Sequence, residues 1–169
     1  VDILWTPWRL EYILSKKQPE CVLCQMVHAS PENDTANLLL YRGQHSFVVM
    51  NLYPYNSAHL MVVPYLHLSD LSALASEVLV EMGDMTQRIL RLLKEVYRPE
   101  GFNLGMNLGK VAGAGIDDHL HQHIVPRWGG DTNFMPVLGE TRCLPETLPD
   151  TYAKLKSSLA NFFDPPPKS

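Results

Sequence analysis

The segment Asp118-His119-Leu120-His121-Gln122-His123-Ile124-Val125-Pro126 sets three of the chain's seven histidines at every second position. Side chains alternate faces along an extended strand. His119, His121 and His123 are therefore expected on one face, about 6.6 Å apart, with Leu120, Gln122 and Ile124 on the other. Three imidazoles make a poor core face. They suit a site that binds anions, moves protons or attacks an electrophile near neutral pH. A neutral imidazole is nucleophilic toward phosphorus when one ring nitrogen is free and the other N–H is held by an acceptor. Flanking histidines can then donate to nonbridging oxygens whose charge must be stabilised in the transition state. A catalytic zinc held by all three is excluded by reach. The outer two stand about 13 Å apart on one strand, against about 2.1 Å for each Zn–N bond.

Two further groups belong to the same chemistry. Asn107-Leu108-Gly109 and Gly113-Ala114-Gly115 lie just upstream of the histidines. Glycines there permit close backbone approach, and N–H groups in such a turn form an anion-binding concavity. Lys110, inside this stretch, reads as an exposed loop lysine. Cys21-Val22-Leu23-Cys24 is either a redox dithiol, half of a zinc site, or two packed thiols. The redox reading wants a helix start in a βαβ context, which this segment lacks. A structural zinc needs two more ligands. Cys143 stands alone and reads as structural.

The elements that must position these groups follow from periodicity. Leu38–Arg42 and Ser46–Leu52 read as strands joined by a Gly43 turn, and His59–Pro64 as a third strand. Ser69-Asp70 caps a short helical turn. From Ser76 to about Tyr97, Val78, Met82, Met85, Ile89, Leu92, Leu93 and Val96 recur at helical spacing. Phe102–Leu108 reads as a strand, followed by the histidine strand and a short strand at 133–138. Pro149–Phe162 reads as a terminal helix. Hairpin-like strands interrupted by one long helix imply an α+β domain with an antiparallel sheet. The single domain is expected over 1–163, with an N-terminal arm at 1–20 packed by Trp5 and Trp8, and a frayed tail at 164–169.

The whole chain narrows the function classes. Its 169 residues are 46% hydrophobic with a net charge of −4, enough for one substantial core. That charge argues against a protein that coats nucleic acid through its phosphates. No apolar run is long enough to span a membrane, and no signal peptide is expected. The cysteine usage fits a reducing compartment, so a cytoplasmic location is expected.

His119-Leu120-His121-Gln122-His123-Ile124-Val125 resembles the signature of the histidine triad superfamily. The likeness extends to Asn51…Pro54…Ala58-His59-Leu60-Met61-Val62-Val63-Pro64, to Pro99-x-Gly101-x-Asn103 and to Asn107-x-Gly109. Leu4-Trp5-Thr6-Pro7-Trp8-Arg9, Asn51-Leu52-Tyr53-Pro54-Tyr55-Asn56 and Val125-Pro126-Arg127-Trp128-Gly129-Gly130-Asp131-Thr132-Asn133-Phe134 are similar to the bacterial diadenosine tetraphosphate phosphorylases and related nucleotidyltransferases. The resemblance implies a dinucleoside polyphosphate substrate, with His121 attacking the α-phosphorus to leave a nucleotidyl-imidazole. Phosphate or water then resolves it. It also implies that Asn51 binds the ribose, that Asn107 with Gly113 and Gly115 faces the phosphates, and that His123 contacts the transferred phosphate. Trp128 is expected near the leaving portion, or else packed in the core. In zinc-bearing members of the superfamily, positions matching His67 and His119 complete the cysteine pair. His45 and then His28 are the alternatives for the third ligand. A homodimer with the sheet continued across subunits is also implied. The non-catalytic alternative is a nucleotide-binding protein that keeps this fold without turnover.

Overall fold

The computed structural model describes residues 20–131 and 144–163. The arm before residue 20, the strand expected at 133–138, Cys143 and the tail at 164–169 lie outside the described residues. The strands are β1 (Leu39–Arg42), β2 (Ser46–Met50), β3 (Leu60–Pro64), β4 (Gly101–Gly105) and β5 (Gln122–Arg127). The helices are α1 (Val22–His28), α2 (Ser76–Val96) and α3 (Leu148–Phe163). The strands form one sheet in the order β1-β2-β3-β5-β4, antiparallel at every pairing. This is the α+β architecture that the hydrophobic periods imply.

β2 and β3 are buried along their full lengths, and their period of two divides the side chains between two apolar clusters. Val48, Met50, Leu60, Val62 and Ile124 pack on α2 and α3. Phe47, Val49, Met61 and Val63 face the other way, against Leu23 of α1. α2 buries Val78, Met82, Met85, Ile89, Leu92 and Leu93 along one stripe, as a helix of period 3.6 must. Each such fully buried Leu or Ile contributes about 1.5–3 kcal/mol. The helix ends where Arg98 takes a left-handed φ of 48° ahead of Pro99, a residue that disfavours helix before it.

The Gly43 turn is tight. A Cβ there would stand 2.1 Å from Met85 Cε and 3.0 Å from the Ser46 carbonyl. Glu81 of α2 closes the same turn, accepting from the backbone N–H groups of Gln44 and His45 at 2.7 Å each. On edge strand β1, the Tyr152 hydroxyl donates to the Leu39 carbonyl and Lys156 Nζ to the Leu40 carbonyl, at 3.0 and 2.7 Å. Side chains of α3 thus occupy carbonyls that would otherwise template another strand. Arg42 is paired with Asp34 at 2.7 Å and donates to the carbonyls of Met26, Val27 and Ala29. It ties the C-terminal end of α1 to the sheet.

Two expectations change in detail. The strand expected at Phe102–Leu108 runs from Gly101 to Gly105. The histidine strand begins only at Gln122, so His119 and His121 precede it. Their stretch bonds to the last residue of β3 and to the chain after it instead. The Leu120 N–H donates to the Leu68 carbonyl at 2.7 Å, and His119 Nε2–H to the Pro64 carbonyl at 2.8 Å. The three imidazoles therefore do not form one ladder on one strand face.

Candidate active site and metal centre

All three triad histidines are buried, with His119 at 1%, His121 at 6% and His123 at 9% exposure. A buried ring nitrogen that hydrogen-bonds to a group of fixed polarity takes its protonation from that partner, and the partners assign the tautomers. His121 Nδ1 lies 2.8 Å from the backbone carbonyl oxygen of His119. A carbonyl only accepts, so Nδ1 carries the proton and Nε2 holds a lone pair. That is the arrangement a nucleophilic imidazole needs.

His123 is set by a different chain of bonds. The Tyr55 N–H donates to His59 Nδ1 at 3.0 Å, so the His59 proton sits on Nε2. His59 Nε2 then donates to His123 Nδ1 at 2.9 Å, which leaves the His123 proton on Nε2. The rings of His121 and His123 meet edge to face, with centroids 4.8 Å apart. Burial, with His121 as a lesser cause, pushes His123 down to about 4. His123 thus stays neutral at physiological pH, with one N–H to offer beside the bare nitrogen of His121.

Spacing alone does not single out His59, although it lies within the Ala58–Pro64 block. It is 1% exposed at the head of β3. A buried histidine leading a wholly apolar strand is a signal in itself, but its partner lies 64 residues away. Asn51 stands beside it, with Nδ2 3.4 Å from His59 Nδ1 and Oδ1 accepting from the Tyr53 N–H at 2.9 Å.

The glycine loop follows β4, whose last residue, Gly105, is the cross-strand partner of His123. Gly109 and Gly113 take φ of 85° and 89° around a 3-10 turn at Lys110–Ala112, a conformation that favours glycine. Asn107 Nδ2 donates to the Gly113 carbonyl at 3.4 Å, and Gly115 is exposed in the same loop. Lys110 is exposed and paired with Asp117 at 3.5 Å. Trp128 is half-buried and lines a cavity of about 520 Å³ with Asn56, Ser57, Tyr97 and Glu146. Its turn is held by Asp131, which accepts from Arg127, from Asn56 and from the Trp128 N–H.

A second cluster lies on the α1 face. The ligand atoms of Cys21, Cys24, His67 and His119 all fall within 4.8 Å of one another. Cys21 caps the start of α1, and Cys24 sits one turn later. The pair thus stands at a helix start, beside an antiparallel sheet rather than in a βαβ unit. His119 Nε2 donates to the Pro64 carbonyl, which leaves Nδ1 as a lone pair aimed at the thiols. His119 Nδ1 lies 3.4 Å from Cys21 Sγ and 3.5 Å from Cys24 Sγ, and His67 Nδ1 lies 3.2 Å from Cys24 Sγ. Tetrahedral zinc with Zn–S of about 2.3 Å and Zn–N of about 2.1 Å sets S···N edges of about 3.6 Å. The three S···N distances lie within a few tenths of an ångström of that edge, and all four ligand atoms fall within 4.8 Å of one another. Burial, the neighbouring Cys21 and Asp118 push the Cys24 thiol up to about 11. Burial also lowers His119, which keeps it neutral as a ligand must be. His45 and His28, the alternatives for the third ligand, are outside the four-residue cluster.

A buried imidazole with Nδ1 held by a carbonyl, a second imidazole beside it and a Cys₂His₂ cluster sharing one histidine run accompany a family match. The chain belongs to the HIT domain family, whose model matches residues 32–130. It is 42% identical to the AP-4-A phosphorylase of Mycobacterium tuberculosis over 163 residues, covering 93% of this chain and 84% of that protein. A crystal structure of a zinc-bound histidine triad family protein from Mycobacterium smegmatis superposes with a TM-score of 0.66 at 28% identity, covering 84% and 94% of the two chains. The diadenosine triphosphate hydrolase of Plasmodium falciparum shares the fold, with a TM-score of 0.61 at 17% identity over 75% of this chain and 79% of that one.

Proposed function

We propose that the protein transfers a nucleotidyl group from a dinucleoside polyphosphate to inorganic phosphate, through a covalent intermediate on His121. The observation that carries the chemistry is the 2.8 Å contact between His121 Nδ1 and the His119 carbonyl. The substrate class rests on the 42% identity to a phosphorylase of that kind.

In the first step the Nε2 lone pair of His121 attacks the α-phosphorus. A P–N bond forms, the bond to the bridging oxygen breaks, and the leaving nucleotide takes the electron pair. That anion is a weak base, so little protonation is needed. His123 donates from Nε2 to an oxygen of the transferred phosphoryl group, where negative charge must be met. In the second step a phosphate oxygen attacks phosphorus, and the P–N electron pair returns to His121. Asn51 is assigned to the ribose, Asn107, Gly113 and Gly115 to the phosphates, and Trp128 to the leaving portion.

Zinc held by Cys21, Cys24, His67 and His119 fits as a structural ion, which supplies rigidity rather than a reacting group. The reading includes one domain over residues 1–163, a homodimer and a reducing, cytoplasmic setting. Among the described residues no helix is long and apolar enough to cross a membrane.

Diadenosine tetraphosphate incubated with and without inorganic phosphate tests the acceptor. ADP plus ATP, formed only with phosphate, is the expected result. AMP plus ATP released without phosphate assigns water as the acceptor and overturns the phosphorylase reading.

A further inference from the structure

Tyr55 lies on the loop between β2 and β3, 47% exposed, yet it touches both members of the His59–His123 pair. Its backbone N–H is the donor that fixes His59. Its ring lies over His59 at 4.8 Å between centroids, tilted by 35°, and over His123 at 5.6 Å, tilted by 38°. His59 and His123 themselves stand 5.0 Å apart. One face of the tyrosine therefore covers the hydrogen bond joining the two imidazoles, while the rest of the side chain meets solvent.

Nothing in the triad chemistry calls for an aromatic residue here. The two histidines nevertheless need one. A neutral imidazole pair has two opposed arrangements, differing in which ring donates. Water at the joint would stabilise either arrangement, and would also stabilise a charged His123. A ring packed on both imidazoles removes that water, and the adjoining N–H selects the arrangement in which His59 donates. The titratable groups seen against His123 among the described residues are His59, His121 and the Tyr55 phenol, and its cross-strand partners Met61 and Gly105 carry no charge.

We propose that Tyr55 is a positioning residue, whose ring and backbone N–H together hold His59 and His123 in the one tautomer that presents the His123 Nε2–H to the transferred phosphoryl group. The proposal rests on the nucleotidyl-transfer reading for its catalytic consequence. Its structural half is independent of turnover.

The test is side-chain nitrogen NMR of the full-length, metal-loaded protein, with steady-state kinetics on diadenosine tetraphosphate beside it. In the wild type, His123 is expected as the Nε2–H tautomer and neutral down to about pH 4. In Tyr55→Ala and in Tyr55→Leu, His123 is expected to show mixed tautomers and to titrate near the ordinary histidine value of about 6.5. The expected kinetic effect is a loss of about tenfold or more in kcat, with KM changed less than about threefold. Tyr55→Phe restores both readouts. A lowered melting temperature in the Ala and Leu variants with the His123 tautomer and titration unchanged overturns the proposal. So does a raised KM with kcat intact, which would make Tyr55 a simple substrate contact. Absence of turnover in the wild type contradicts the nucleotidyl-transfer reading instead, and leaves the NMR arm to decide the role of Tyr55.

Discussion

The His119 backbone carbonyl accepts the Nδ1 proton of His121 at 2.8 Å, while the His119 ring points its own Nδ1 into the cysteine cluster. One residue thus faces the Cys₂His₂ cluster with its side chain and fixes the His121 ring with its main chain. In the proposed reading, zinc binding and the orientation of His121 are joined through a single residue.

Loss of the metal should therefore be felt in catalysis. Purified protein is expected to carry one zinc per chain. His67→Asn removes the most exposed ligand of the four and is expected to weaken zinc binding by about 10–100-fold. Because His67 lies outside the triad, any accompanying fall in kcat reports the path through His119. Metal analysis with thiol titration checks this. Zinc-free protein with both thiols freely reactive would contradict the metal assignment.

His59 should be a catalytic partner in spite of its distance from the triad in sequence. His59→Leu removes the donor to His123 Nδ1, and kcat is expected to fall by roughly 100-fold. His59→Gln keeps an N–H at the end of its side chain, so part of that loss should be recovered. Equal activity in the two variants would show that the hydrogen bond is not what matters.

Stability should fall on mild acidification, and His123 fixes the window. Its folded value of about 4 lies below the unfolded value of about 6.5. The unfolded chain therefore takes up the proton first. The contribution of His123 is complete above pH 6.5 and is lost as pH falls from there through about 4. A shift of this size corresponds to a loss of folded-state stability on the order of 3 kcal/mol once pH has fallen below about 4. Urea unfolding at pH 7 and pH 4.5 checks it. His123→Gln should show a shallower loss than the wild type between the two.

Arg42 should govern the cysteine helix. Arg42→Met strips three carbonyls at the end of α1 of their donor and leaves Asp34 without its ion pair. The expected cost is about 1–3 kcal/mol, with faster thiol modification at Cys24. Competition with a coloured zinc chelator should show weaker binding than in the wild type. Unchanged thiol reactivity would show that α1 is held by its Leu23 packing alone.

Much of this was legible in the chain. The apolar stripe from Val78 to Leu93 and the alternation in β2 and β3 are local patterns that burial enforces, and the structure follows them closely. The glycine turns were legible for the same reason, since Gly43, Gly109 and Gly113 occupy positions that reject a side chain or favour positive φ. The histidine run was legible as chemistry but not as geometry. The stretch carrying His119 and His121 leaves the ladder to bond elsewhere, the His119 ring to the Pro64 carbonyl and the Leu120 N–H to the Leu68 carbonyl, both more than fifty residues upstream. The proposed division of labour between His121 and His123 depends on the His119 carbonyl in one case and on His59 in the other. Spacing carries no record of such contacts. Only the fold does.

Mass spectrometry of the protein during turnover tests the central claim most directly. Wild-type protein mixed with diadenosine tetraphosphate in the absence of phosphate, quenched under alkaline conditions that spare phosphoramidates, should carry one adenylyl group on the peptide containing His121. Fragmentation should place it on His121, and added phosphate should discharge it as ADP. His121→Ala should bind nucleotide and carry no adduct. Turnover without an adduct, or an adduct on His119, His123 or His59, would contradict the account.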